Sequence, residues 1–125
     1  MAEKDLAHSD LTRSVIGAAI EAHSHLGPGF LESVYEAAMA VELGLRKIPY
    51  EQQKAIPVFY KEVKTKDFFC DFLIGQKVLV ELKAIKVLTN AEESQLLNYM
   101  KATGLRVGLL INFGEPSVKY KRFVL

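Results

Sequence analysis

Residues 68–85 read Phe68-Phe69-Cys70-Asp71-Phe72-Leu73-Ile74-Gly75-Gln76-Lys77-Val78-Leu79-Val80-Glu81-Leu82-Lys83-Ala84-Ile85. Two runs rich in β-formers flank a Gly-Gln turn, the pattern of a hairpin. Strand side chains alternate, so Phe68, Cys70, Phe72 and Ile74 are expected on one face, with Phe69, Asp71 and Leu73 on the other. In the second run, Lys77 to Ile85, Val78, Val80, Leu82 and Ala84 face one way. Leu79, Glu81, Lys83 and Ile85 face the other. The chemistry lies in the exceptions to the apolar texture: Asp71, Glu81 and Lys83. A buried charge that loses its partner costs about 3–5 kcal/mol. These charges therefore need each other, a metal ion, or solvent in a cleft. The plainer reading of Glu81 and Lys83 is an ordinary ion pair on an exposed strand face.

Counting residues sharpens the choice. Directly opposed residues of an antiparallel pair share a face. A two-residue turn at Gly75-Gln76 sets Asp71 opposite Val80 and sends Glu81 to the other side of the sheet. A three-residue loop, Gly75-Gln76-Lys77, sets Asp71 across from Glu81. A shared cation requires the second register or a bulge.

Working outward, the chain opens with a helix over about Leu11 to Leu26. Leu11, Val15, Ala18, Ala22 and Leu26 form its apolar stripe, and Ser9 or Asp10 is the expected cap. Gly27-Pro28-Gly29 ends it. This loop lacks the lysine and strand context of a phosphate-cradling loop. A second helix follows from about Leu31 to Arg46, with Val34, Ala38, Val41 and Leu45 as its buried stripe. The two should pack as an antiparallel or steeply crossed pair. Ala55 to Tyr60 is β-rich but holds Pro57, which suits an edge strand or a bulge. Beyond the hairpin, Thr89-Asn90-Ala91-Glu92 has the spacing of a capping box. The helix it opens should close at Gly104. Val107 to Ile111 is an apolar run typical of a buried parallel strand, and Lys119 to Leu125 a short final strand. The order ααβββαββ predicts an α/β fold, α+β-like in its segregation, with a mixed β-sheet flanked by helices.

Composition bounds the rest. A chain of 125 residues, 50% of them hydrophobic, is expected to form a single domain over residues 1–125 with a core of its own. Residues 1–9 read as a flexible N-terminus without a hydrophobic signal core. Lys plus Arg number 16 against 15 Asp plus Glu, a net charge of +1; this excludes polybasic and acidic disordered tails. Lys61, Lys64 and Lys66, and then Lys119, Lys121 and Arg122, are local basic clusters. They suit either solvated faces or phosphate contacts. The single cysteine, Cys70, excludes an internal disulfide and a cysteine zinc cluster, and suits the reducing cytoplasm. Cys70 itself reads as a small buried hydrophobe. No apolar run reaches the 18 residues of a membrane span. His23 and His25, two apart on a helix, point different ways and make a poor metal pair.

Two carboxylates and a lysine converging on a sheet suit a hard divalent cation such as Mg2+. Such an ion lowers the pKa of a bound water and stabilises charge on a phosphoryl oxygen. Lys83 would orient the water or neutralise developing negative charge. At this point the chain resembles a known family. Asp71 followed by Glu81-Leu82-Lys83 resembles the PD-(D/E)XK nuclease-like superfamily, which implies a restriction-endonuclease-like core. Gly29-Phe30-Leu31-Glu32-Ser33-Val34-Tyr35 matches the pattern that names its GxxExxY family. Gln95 and Tyr99 resemble the QxxxY motif of exonuclease-type members. Gly108 to Phe113 resembles the family's late strand. Cys70 stands where the superfamily's proline often precedes the aspartate.

The resemblance implies a metal-dependent phosphodiesterase acting on nucleic acid, DNA or RNA, with Mg2+ or Mn2+ as cofactor. Asp71 and Glu81 would hold the ion, with the Leu82 backbone carbonyl and Glu32 as further ligands, and Lys83 would assist the attacking water. Glu32 has a simpler explanation, since a carboxylate in the first turn of a helix gains ~0.3–1 kcal/mol from the dipole. Tyr35, one turn on, is expected either in the core or with its hydroxyl on Glu32 or a neighbouring carboxylate. Gln95 and Tyr99 share a helix face and would orient the site or the bound strand. A homodimer or a protein partner would supply specificity. The alternatives are an inactive nucleic-acid- or protein-binding module that kept the fold, and a hydrolase of small phosphate esters.

Overall fold

A computed structural model of the chain describes residues 7–125. The elements run α1 (Ser9–Leu26), α2 (Glu32–Leu45), β1 (Tyr50–Tyr60), β2 (Val63–Ile74), β3 (Val78–Lys83), α3 (Asn90–Thr103), β4 (Val107–Asn112) and β5 (Lys119–Val124). This is the expected ααβββαββ order. The expectation of a flexible 1–9 falls largely on residues outside those described. Within the described part, residues 7 and 8 form a turn and Ser9 opens α1.

The five strands make one sheet in the order β1-β2-β3-β4-β5. β1–β2, β2–β3 and β4–β5 are antiparallel, while β3 and β4 run parallel with α3 between them. β4, buried at every residue, is the apolar strand that a parallel crossover demands. Pro57 lies on the edge strand β1, next to an irregularity at Val58/Phe59.

Two apolar cores sandwich the sheet. Val15, Ala18 and Ala22 of α1 and Tyr35, Met39 and Leu43 of α2 pack with Phe72, Ile74, Val80, Leu82 and Leu109. On the other side, Leu96 and Met100 of α3 pack with Cys70, Leu73, Leu79 and Leu110. Gly108 lets α3 settle onto β4: a Cβ there would stand 2.4 Å from the Met100 sulfur.

Three local expectations are corrected. The buried stripe of α2 is Tyr35, Met39 and Leu43, whereas Val41 and Leu45 are exposed. This helix is apolar on most of its circumference, so spacing alone admits two stripes, and the core takes the larger side chains. Neither Ser9 nor Asp10 caps α1. The cap position is His8, in a left-handed conformation without a side-chain hydrogen bond. Finally, β2 does not alternate as a regular strand. Cys70 packs on the α3 side, while Phe72 and Ile74 pack under α1 and α2. At the start of α3 the capping expectation holds, with the Thr89 hydroxyl accepting from the Ala91 N–H at 3.2 Å. Gly104 closes the helix at φ 75°.

Candidate active site

The β2–β3 turn sets the site. Ile74 pairs with Val78, Leu73 with Leu79 and Phe72 with Val80, so the loop is the three-residue Gly75-Gln76-Lys77. Gly75 and Gln76 both adopt left-handed backbone, at φ 56° and 61°. This is the register that a shared Asp71–Glu81 site requires.

The next pair would be Asp71 with Glu81, but the ladder stops before it. Side chains take over from backbone. The Leu82 N–H donates to Asp71 Oδ2 at 2.7 Å, and the Asp71 N–H lies 3.4 Å from Glu81 Oε1. Leu82 therefore turns its N–H toward Asp71, and in extended backbone its carbonyl points the same way. On its far side β3 stays fully paired with β4, ending at Lys83 and Asn112. The site thus occupies the open fork between β2 and β3.

Asp71 is 7% exposed and accepts a second hydrogen bond, at Oδ1, from Gln53 Nε2 at 3.0 Å. Glu81 and Lys83 are half-buried. Burial, with the Asp71 charge next in weight, pushes the Glu81 carboxyl up to about 8. Asp71 is also raised, first by burial, against the pull of the Leu82 N–H. Glu32, in the first turn of α2, is exposed. Partial desolvation and then the Asp71 charge raise its pKa, with Lys83 opposing. Lys83 opposes the upward shift of all three carboxyls without reversing it.

Glu36, one turn beyond Glu32, joins this field and adds to the upward shift of both Asp71 and Glu32. Gln52 and Gln53 hold its two oxygens at 2.7 and 2.8 Å. Glu36 and Gln53 were not singled out from the sequence. The available signal was spacing: Glu36 follows Glu32 by four, and so shares its helix face.

Other expected site residues are placed elsewhere. The Tyr35 hydroxyl does not reach a carboxylate. It donates to the Gly27 carbonyl at 2.5 Å and accepts from the Phe30 N–H at 3.2 Å. Its ring stacks on Phe113 at 4.7 Å between centroids. Tyr35 therefore fixes the loop that aims the start of α2. Tyr99 stacks on Phe68 with centroids 3.5 Å apart. Gln95 is exposed. The Lys61–Lys66 cluster lies on the β1–β2 hairpin and the Lys119–Arg122 cluster on β5, at opposite edges of the sheet.

Beside the site, Asn112 was missed because a polar residue ending an apolar strand reads as a strand terminus. It is fully buried. Its Nδ2 donates to the Ile85 carbonyl and to Glu115 Oε2, at 2.9 and 2.8 Å. Its Oδ1 accepts from the N–H groups of Ile85 and Gly114, at 3.0 and 3.1 Å. Gly114 makes the fit tight, since a Cβ there would fall 2.1 Å from the Ile85 carbonyl oxygen.

The donors around the fork are all oxygen, the chemistry a hard divalent cation takes. Among the described residues, no three His, Cys, Asp or Glu side chains converge closely enough to form a metal cluster by themselves. Asp71, Glu81 and the Leu82 carbonyl would supply those oxygens. No helix among the described residues is long and apolar enough to cross a membrane.

This geometry and the order of elements define a mixed sheet whose acidic pair sits where two strands part. The chain matches the PD-(D/E)XK nuclease superfamily over residues 9–123, and it belongs to that superfamily. No curated protein and no solved structure gives a significant match.

Proposed function

We propose that this chain is a metal-dependent phosphodiesterase acting on nucleic acid, from the GxxExxY branch of the superfamily. The observation that carries the reading is the Asp71–Glu81 pair at the open β2–β3 fork, with Lys83 two residues beyond Glu81. Asp71, Glu81 and the Leu82 carbonyl would hold Mg2+ or Mn2+, with Glu32 facing them from α2. The ion would lower the pKa of a water and stabilise charge on the phosphoryl oxygen.

The chain's own groups do the rest. Leu82 N–H holds one Asp71 oxygen and so sets the carboxylate's plane. Lys83, half-buried, supplies a fixed positive charge beside the phosphoryl group and orients the attacking water. Tyr35 and Phe113 fix the approach of α2, and with it Glu32. The basic clusters on the two sheet edges suit phosphate contacts. A cytoplasmic location suits the buried thiol of Cys70, which burial pushes up to about 12 and out of reach of ready oxidation. A homodimer or protein partner would add the specificity that this small core lacks.

A panel of single- and double-stranded DNA and RNA, incubated with Mg2+, with Mn2+ or with chelator, tests the reading. Cleavage that needs the metal and disappears in Lys83→Ala is expected. Nucleic-acid binding of equal strength with and without metal, and no cleavage of any substrate, would favour a binding module instead. That second reading draws on Asp71, both of whose oxygens already accept internal hydrogen bonds. A small phosphate ester hydrolysed in preference to every polymer would shift the substrate class.

A further inference from the structure

Gln53 is a non-glycine residue with φ 50°, in the middle of a strand. Left-handed backbone costs such a residue roughly 1–2 kcal/mol, and strain of this kind collects where function uses it. On either side of Gln53 the β1–β2 ladder is regular: Gln52 pairs with Phe72 and Lys54 with Cys70. Gln53 and Asp71, which would face each other in that register, do not pair.

Both strands record the break. In regular β-structure, adjacent side chains point to opposite faces. Here Gln52 and Gln53 both reach Glu36, one on each carboxylate oxygen. Cys70 and Phe72 should share a face, yet they pack in the two different cores. The two Nε2 protons of Gln53 bridge Glu36 Oε1 at 2.8 Å and Asp71 Oδ1 at 3.0 Å. Leu82 N–H holds the other Asp71 oxygen.

We propose that Gln53 is the positioning residue for Asp71: its left-handed backbone opens the ladder opposite Asp71, and its amide ties the freed carboxylate to α2. The amide contributes two neutral donors to two carboxylates, so it holds both without cancelling their charge. A lysine there would form an ion pair and compete with a cation, whereas an amide orients Asp71 and adds no charge to the site. The consequence for metal binding rests on the phosphodiesterase reading; the positioning of Asp71 does not.

Gln53→Gly separates the two parts of the device. Glycine adopts φ 50° without strain, so the backbone break is kept while the amide is removed. The test compares amide hydrogen exchange in metal-free wild type and Gln53→Gly. The Leu82 N–H, bonded to Asp71, is expected to exchange about tenfold faster in the variant. The Phe113 N–H, bonded to the Lys83 carbonyl on the other side of β3, should be unchanged. Leu82 exchange that is unaltered, or that rises only in parallel with Phe113, overturns the proposal. A second arm titrates Mn2+ into both proteins, with an expected loss of affinity of about tenfold or more. A wild type that takes up no Mn2+ defeats the phosphodiesterase reading, while the exchange data still decide the role of Gln53.

Discussion

Asp71 and Asn112 stand on either side of β3, one on β2 and the other on β4, and both bury polar atoms at the same end of the sheet. They solve the burial problem in opposite ways. Asn112 is neutral, and four protein partners satisfy its amide. Asp71 belongs to a group of carboxylates whose charges raise one another and which a single lysine offsets only in part. The same contrast shows in the backbone, where β3 meets β4 through six residue pairs and β2 through three. Complete pairing and a balanced amide build structure. Interrupted pairing and carboxyls held above their ordinary pKa mark the fork as the costly region.

The sharpest way to break this contrast is at β3. Glu81→Ala or Lys83→Ala should abolish metal-dependent cleavage, a loss of about 10³-fold or more by analogy with removal of other electrostatic groups. Both variants should fold, and Glu81→Ala should melt no lower than wild type because a carboxyl that burial disfavours is removed. If either unfolds, the pair is structural.

Asn112→Ala should do the reverse. Removing a satisfied buried amide strands the Ile85 and Gly114 backbone groups, at a cost of about 3 kcal/mol. Denaturant unfolding would measure it. A loss near zero would mean that the clamp is ornamental and that the two regions differ less than their geometry implies.

A further effect separates the regions by pH. The Glu81 carboxyl sits at about 8 in the folded protein against an ordinary 4.5. Between those values the folded chain binds more protons than the unfolded one. Stability of the metal-free protein therefore falls as pH rises through that window, and is flat in this respect below and above it. Glu81→Gln should remove this part of the slope, and Asn112→Ala should leave it intact. Denaturation midpoints at about pH 5 and about pH 8.5 would show the difference. Smallest of all, Tyr35→Phe should cost about 1 kcal/mol through the lost bonds to Gly27 and Phe30, with a thermal melt as the readout.

Much of this was legible in the sequence. The element order follows from alternation, capping and glycine placement, which are local signals, and the parallel β3–β4 pair from the strand–helix–strand crossover. Gly75 permits either loop length, so the three-residue turn was selected only by the demand that Asp71 and Glu81 share a site. Asp71, Glu81 and Lys83 stood out because charge in an apolar strand needs a reason. The break at Gln53 was hidden, since nothing in its immediate neighbours demands left-handed backbone, and its amide partners, Glu36 and Asp71, lie far away in sequence. The facing of Cys70 was misjudged for the same cause. The Tyr35 hydroxyl went to loop backbone, because a buried phenol bonds the nearest unpaired carbonyl. Asn112 was missed because its partners, Ile85 and Gly114, sit in loops that periodicity does not describe.

The central claim is that the imbalance at the β2–β3 fork is there to be filled by a divalent cation. Calorimetric titration of Mn2+ into wild type and Asp71→Asn tests it most directly. Saturable uptake by the wild type, lost in Asp71→Asn while its melting temperature holds or rises, is the predicted result. Equal uptake by both proteins, or none by the wild type, would contradict it.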